Sequence, residues 1–207
     1  MLELRWLTPG ITHAAALALQ EQALAALLAG AAEEPVFLLE HAPVYTIGRT
    51  RDTSSLREPA QLAYPVVEIN RGGQATYHGP GQLVAYPVVD LRVRGKDLHA
   101  YLRTLEEAIL RTCGDFGVAA SRRDGLTGVW AGDRKLASLG VGVRKWIAMH
   151  GLALNVTAEC LPPFQAITPC GITGVTMTCL ADEARRPLSV AEAGSSLAGH
   201  LLELLAR

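Results

Sequence analysis

A cysteine set between a proline and a glycine, in Ile167-Thr168-Pro169-Cys170-Gly171-Ile172, is the residue of this 207-residue chain best suited to act as a nucleophile. The proline fixes the backbone before the thiol, and the glycine after it lets a ligand or a second backbone approach closely. A thiol of ordinary pKa, about 8.5, is only a few per cent thiolate at neutral pH, so a working cysteine needs a basic or cationic neighbour. The chain offers two kinds: His78 or His150 as the base of a Cys-His pair, and Lys135, whose ammonium would stabilise the thiolate. Spacing along the chain does not choose between them. Each also has an ordinary reading: a packed thiol, a solvated turn lysine, a hydrogen-bonded structural histidine. Of the remaining cysteines, Cys113 prolongs the apolar stripe of a helix, and Cys160 and Cys179 stand in no distinctive context. With no C-x-x-C pair and no histidine at a zinc-ligand spacing, the expectation is free thiols, no metal and no cofactor.

The segment Arg71-Gly72-Gly73-Gln74-Ala75-Thr76-Tyr77-His78-Gly79-Pro80-Gly81-Gln82 holds four glycines in twelve residues. That density suits a backbone passing close to a ligand, and equally a glycine-rich hairpin with nothing bound. It is not a phosphate-binding loop, because G-x-x-x-x-G-K-[ST] is absent from the chain. Gly140-Val141-Gly142 likewise does not continue into G-x-G-x-x-G, so no nucleotide fingerprint is present.

The elements that must position these groups read as α+β. A helix over 13–29 is expected from Leu17, Leu24, Leu27 and Leu28 near one face, with Gly30 as its stop. Short β-branched or aromatic runs at 36–40, 44–48, 66–69, 74–78 and 83–89 alternate with Pro, Gly and Asn turns and imply a sheet with hairpins. A second helix over 98–113, capped by Asp97 and ended at Gly114, carries Leu98, Tyr101, Leu102, Leu105 and Ile109 on one stripe. Strands follow at 128–131, 136–144 and 147–156, the first two joined by a tight turn at Gly132-Asp133 that puts Lys135 just beyond a hairpin. The last helix begins at Ser189, with Glu192 completing a capping box.

Composition narrows the class. The chain is 49% hydrophobic and 19% charged with a formal net charge of −1, which argues for one folded domain over 1–207 and against a general nucleic-acid binder. The N-terminus lacks a basic segment followed by an apolar core, and the longest apolar run ends at Gly30, so a cytoplasmic protein with no membrane partner is expected.

Read in order, His41-Ala42-Pro43-Val44-Tyr45-Thr46-Ile47-Gly48-Arg49, the 71–82 segment, Lys135-Leu136-Ala137-Ser138-Leu139-Gly140, His150-Gly151-Leu152-Ala153-Leu154-Asn155-Val156 and Pro169-Cys170-Gly171-Ile172 resemble the lipoyl(octanoyl) transferase family of lipoate biosynthesis. The likeness runs from about residue 36 to 180. It departs mildly at Ala75, where a β-branched residue is more usual, and at Leu139 and Val141, which replace similar aliphatics. It implies the fold of the biotin and lipoate protein ligases, a larger mixed sheet and a smaller sheet flanked by helices. It implies Cys170 as the acyl-accepting nucleophile and Lys135 as its partner. Residues Arg71, Gly72, Gly73, Gln74, Ala75, Thr76, Tyr77 and His78, with Ser138, Leu139, Gly140, Gly151, Leu152 and Ala153, would then line the substrate site. The implied donor is octanoyl-acyl-carrier protein, and the implied acceptors are the lipoyl domains of 2-oxoacid dehydrogenases and the glycine cleavage H protein. Arg49, Arg51 and Arg71 are candidates for a basic rim facing the carrier. The rivals are an ATP-dependent lipoate or biotin ligase on the same fold, and a non-catalytic module that binds the carrier protein.

Overall fold

The computed structural model describes residues 1–51, 53–57, 61–172 and 174–206; the Cys170 side chain lies outside the described set. The strands and helices of the described chain are β1 (Leu2–Trp6), α1 (His13–Leu28), β2 (Glu34–Leu39), β3 (Val44–Ile47), β4 (Val66–Glu68), β5 (Thr76–His78), β6 (Gln82–Pro87), α2 (Leu98–Asp115), β7 (Ser121–Arg123), β8 (Leu126–Ala131), β9 (Arg134–Arg144), β10 (Ile147–Asn155), β11 (Thr176–Met177), α3 (Leu180–Ala184) and α4 (Val190–Leu205). The larger sheet has the order β1-β2-β6-β10-β9-β8-β7, with β11 added beside the start of β9, and the smaller one β4-β3-β5. Both are mixed: β1 with β2, β3 with β4 and β11 with β9 run parallel, the other pairs antiparallel. This is the α+β architecture expected.

Strands β2, β6 and β10 are buried along their whole length, which is why they read as largely apolar runs rather than alternating ones. The two-residue period still sorts their side chains. Val36, Leu38, Leu83 and Ala85 join a core with Leu105 and Ile109 of α2 and Leu197 and Leu201 of α4. Phe37, Leu39, Val84 and Tyr86 face the other way, onto Ala16, Leu24 and Leu27 of α1. A third core, built on Tyr45, Tyr77, Phe164 and Ile167, joins the small sheet to the turns that lead to Cys170.

The caps that the sequence announces are in place: the side chains of Asp97 and Ser189 accept from backbone N–H groups of α2 and α4, and Glu192 closes the capping box. Two helix faces differ from expectation. Leu28 is exposed, and α1 instead buries His13, Ala16, Gln20, Leu24 and Leu27, because polar groups sit between this helix and the sheet. Leu98, in the first turn of α2, is also exposed, and α2 runs through Gly114 to Asp115 before Gly117 turns the chain at φ +72°. Strands β1, β7 and β11 were not anticipated: β1 is a half-exposed edge, and the other two are too short to show a period. No described helix is long and apolar enough to cross a membrane.

Candidate active site

A cleft opens between β9 and β10 of the large sheet and the 69–78 segment beside the small one. Its walls are mostly apolar, from Ile69, Leu139, Leu152 and Ala153. The sequence segments 71–78, 138–140 and 151–153, far apart in the chain, converge on it: Arg71, Gly73, Thr76 and His78 line it, as do Ser138, Leu139 and Gly140 and all of Gly151, Leu152 and Ala153. Gly72, Gln74, Ala75 and Tyr77 do not. Gly72 N–H donates to Val141 O at 3.1 Å, while Ala75 and Tyr77 point into the third core, as strand alternation requires. Ile69 and Tyr86 are lining residues that sequence reasoning passed over; the signal for Tyr86 was its place on a strand antiparallel to the Gly151–Ala153 segment.

The glycines of β9 make this convergence possible. A Cβ on Gly140 would sit 2.7 Å from Arg71 Cδ and 3.1 Å from Gly72 O, so the pair Gly140 and Gly142 is spaced for a passing backbone, not for a nucleotide. Arg71 is buried, donating to Thr46 O at 3.0 Å and Thr46 Oγ1 at 2.7 Å. It is a strut between the two sheets, which corrects the expectation that it belongs to a basic rim. Of the other rim candidates, Arg51 is paired with Glu68 at 3.0 Å.

Four histidines lie in or beneath the cleft. Burial lowers His13, and pushes His41 and His150 down to about 4 and His78 well below its ordinary value, with Arg71 nearby adding to the effect on His13, His78 and His150. All are therefore neutral at pH 7, and for His41 and His78 the hydrogen-bond partners fix the tautomer. His41 Nδ1 donates to Ile11 O at 3.1 Å, so Nε2 accepts from the Tyr86 hydroxyl at 2.8 Å. A longer chain starts from Thr178 O, which can only accept: Asn155 Nδ2 donates to it at 3.0 Å, Gln82 Nε2 donates to Asn155 Oδ1 at 2.9 Å, and His78 Nδ1 donates to Gln82 Oε1 at 2.7 Å. His78 thus presents Nε2 as an acceptor. His150 adopts φ +58°, and among the described residues its buried Nδ1 has no hydrogen-bond partner, nor does Thr76 Oγ1.

Lys135 is not a solvated turn residue: it is 1% exposed. Its Nζ donates to Thr127 O at 3.3 Å and lies 5.3 Å from the centre of the Trp130 ring. It stands beside the cleft rather than in its wall. Met177 of β11 is its strand partner, and Thr178 N–H donates to Lys135 O at 3.0 Å, so the chain that leaves Cys170 is laddered to the lysine's own strand.

The backbone of Cys170 lies in a 3-10 turn, Pro169–Gly171; its side chain lies outside the described residues. Thr168 N–H donates to Ser55 O at 2.6 Å, and Gly171, at φ +69°, packs so closely on the Gln74 carboxamide that any Cβ there would overlap it. Gln74, absent from the cleft wall, braces the cysteine turn instead. Cys113, Cys160 and Cys179 are free and buried, and burial pushes their thiols up, Cys113 to about 12 and Cys179 to about 11. None of the three has the environment of a nucleophile.

A mixed sheet covered on both faces, with a small sheet across one end and an apolar cleft between them, is the catalytic fold of the lipoate and biotin protein ligases. The ATP-bound structure of lipoate-protein ligase A superposes with a TM-score of 0.79 at 20% identity, covering 99% of this chain and 85% of that one. Biotin protein ligase from Aquifex aeolicus does so with a TM-score of 0.57 at 13% identity, covering 100% and 70%. The chain belongs to the family described as the lipoyl protein ligase A/B catalytic domain, which matches residues 12–202. Within it, the octanoyltransferase of Geobacter metallireducens is 52% identical over 191 residues, 92% of this chain and 88% of the relative. That of Geobacter sulfurreducens is 53% identical over 186 residues, 90% and 77%.

Proposed function

We propose that this chain, as one catalytic domain, transfers an octanoyl group from acyl-carrier protein to a lysine of a lipoyl domain, with Cys170 carrying the acyl group and Lys135 as its cationic partner. The observation that carries the reading is the ladder just described, in which the strand holding a buried lysine beside an apolar cleft also holds the chain leaving the Pro-Cys-Gly turn. The relatives near 50% identity, named as octanoyltransferases, support the substrate class.

In the first half-reaction the Cys170 thiolate attacks the thioester carbonyl of the donor. The new C–S bond forms, the bond to the carrier's pantetheine sulfur breaks, and that sulfur leaves as a thiolate and takes up a proton. One thioester replaces another, so the exchange is close to balanced and no ATP is consumed. In the second half-reaction the amine of the acceptor lysine attacks the acyl-enzyme, its C–N bond forms, the Cys170 C–S bond breaks, and the amine's surplus proton returns to the cysteine sulfur. The amide is far more stable than the thioester, which sets the direction. Lys135 favours the thiolate in both halves by charge. The backbone N–H groups at Gly171 or in the 71–78 segment are the candidates for stabilising the developing oxyanion. The apolar walls accept the acyl chain, and His78 Nε2 offers an acceptor within the cleft.

The test is transfer to a lipoyl domain measured with octanoyl-acyl-carrier protein and no ATP, beside free octanoate with ATP. The proposal expects product only from the first. Product that forms only from octanoate with ATP would replace it with the ligase reading.

A further inference from the structure

Glu106 of α2 is a carboxylate buried to 1% exposure and has no part in the chemistry above. Its two oxygens do different things. Oε2 accepts from Arg103 at 2.6 Å and Arg122 at 3.2 Å, both at least one-third exposed. Oε1 accepts from Gly128 N–H at 3.0 Å, deep under the sheet. That N–H belongs to the same peptide group as Thr127 O, the acceptor for Lys135 Nζ at 3.3 Å. One peptide plane therefore joins Lys135 to Glu106, its carbonyl toward the ammonium and its N–H toward the carboxylate. A carboxylate hydrogen-bonded to one end of a peptide increases the negative charge at the other end.

Gly128 is what allows the arrangement. It sits at φ +138°, and a Cβ there would lie 2.9 Å from Lys135 Cε and 2.9 Å from Ala137 O, so the lysine stem occupies the space a side chain would fill. Desolvating a carboxylate is costly, and pairing two partly exposed arginines at the surface would not require burying Oε1. Among the described residues Thr127 O takes one of the three N–H groups of Lys135, and no second acceptor lies within hydrogen-bond distance.

We infer that Glu106 is the positioning residue for Lys135, acting through the Thr127–Gly128 peptide to hold the ammonium in place. The inference rests on the reading of Lys135 as the partner of Cys170. It requires that Glu106 matter only while Lys135 is present, which a purely structural ion-pair hub would not.

The test is a double-mutant cycle read by the single-turnover rate of Cys170 acylation from octanoyl-acyl-carrier protein, with the iodoacetamide alkylation rate of Cys170 as a second reading of the thiolate. Glu106→Leu is expected to slow both by about tenfold, the usual scale for losing a hydrogen bond to a charged group, with the KM for the donor unchanged. In a Lys135→Ala background the same substitution is expected to change nothing further. Equal slowing in both backgrounds, or no slowing in either, overturns the inference while leaving Lys135 in its role. If Lys135→Ala alone leaves both rates at wild type, the reading of Lys135 fails and the inference falls with it. Should Glu106→Leu not fold, Glu106→Gln, which keeps an acceptor for Gly128 N–H, carries the cycle with a smaller effect that must again vanish without Lys135.

Discussion

Acid should destabilise this fold through its histidines well before its carboxylates titrate. His41 and His150 are held near 4 by burial, against about 6.5 in an unfolded chain. The folded state keeps them neutral, so their contribution is complete above pH 6.5 and is lost as pH falls from there toward 4. For each, the unfolded form gains about 2 kcal/mol between pH 7.5 and pH 5.0 through preferential proton binding. The pair therefore costs about 4 kcal/mol, a large share of a typical net stability of about 5–15 kcal/mol. His78 and His13, also lowered, act in the same direction. The depressed carboxylates Glu107, Glu183 and Asp90 lose their contribution only below about pH 4.5, outside this window. Urea unfolding at the two pH values measures the difference. With an m-value of about 2 kcal/mol/M, the midpoint should drop by about 2 M at pH 5.0. In His150→Asn, where asparagine tolerates the left-handed backbone of φ +58°, about half of that drop should disappear. A midpoint that is the same at both pH values, or a His150→Asn variant with the full pH dependence, would refute the argument.

Three other substitutions have outcomes set by the geometry. Gly48→Ala places a methyl on the carbonyls of Gly73 and Arg71, pushing the 71–73 segment off the cleft; the KM for donor should rise and Tm should fall, both measurable on one preparation. Gly171→Ala collides with the Gln74 carboxamide at a backbone φ of +69°, so acylation should slow at least tenfold, checked by single-turnover mass measurements, while the unfolding midpoint moves little because the turn is peripheral to the large core. Ser189→Ala removes the α4 capping box and should cost about 1 kcal/mol in urea unfolding with kcat unchanged.

The parts of this fold that were legible in the chain are those where local chemistry and tertiary position agree. Asp97, Ser189 and Glu192 cap helices because their side chains satisfy N–H groups wherever the helix ends up. The Gly132-Asp133 turn fixes Lys135 on β9, although nothing local says that its ammonium is buried over Trp130. The pairing of Arg71 with Thr46, and the support of the cysteine turn by Gln74, join residues 25 or more positions apart in the chain, which no periodicity encodes. The same holds for Glu106, which on a helical wheel is one more charged residue beside Arg103 and Glu107. Its role is visible only once β8 lies across α2. The buried polar face of α1 misled the stripe argument for a related reason: Gln20 is there to accept from His150 N–H, a contact 130 residues away in sequence.

The central claim is that Cys170 carries the acyl group, and the direct measurement is intact mass after brief incubation with octanoyl-acyl-carrier protein and no acceptor. The account predicts one hydroxylamine-sensitive octanoyl adduct on the wild-type chain, none on Cys170→Ser, and slow formation on Lys135→Ala. A wild-type chain that stays unmodified while a lipoyl domain added to the same mixture is octanoylated would contradict it.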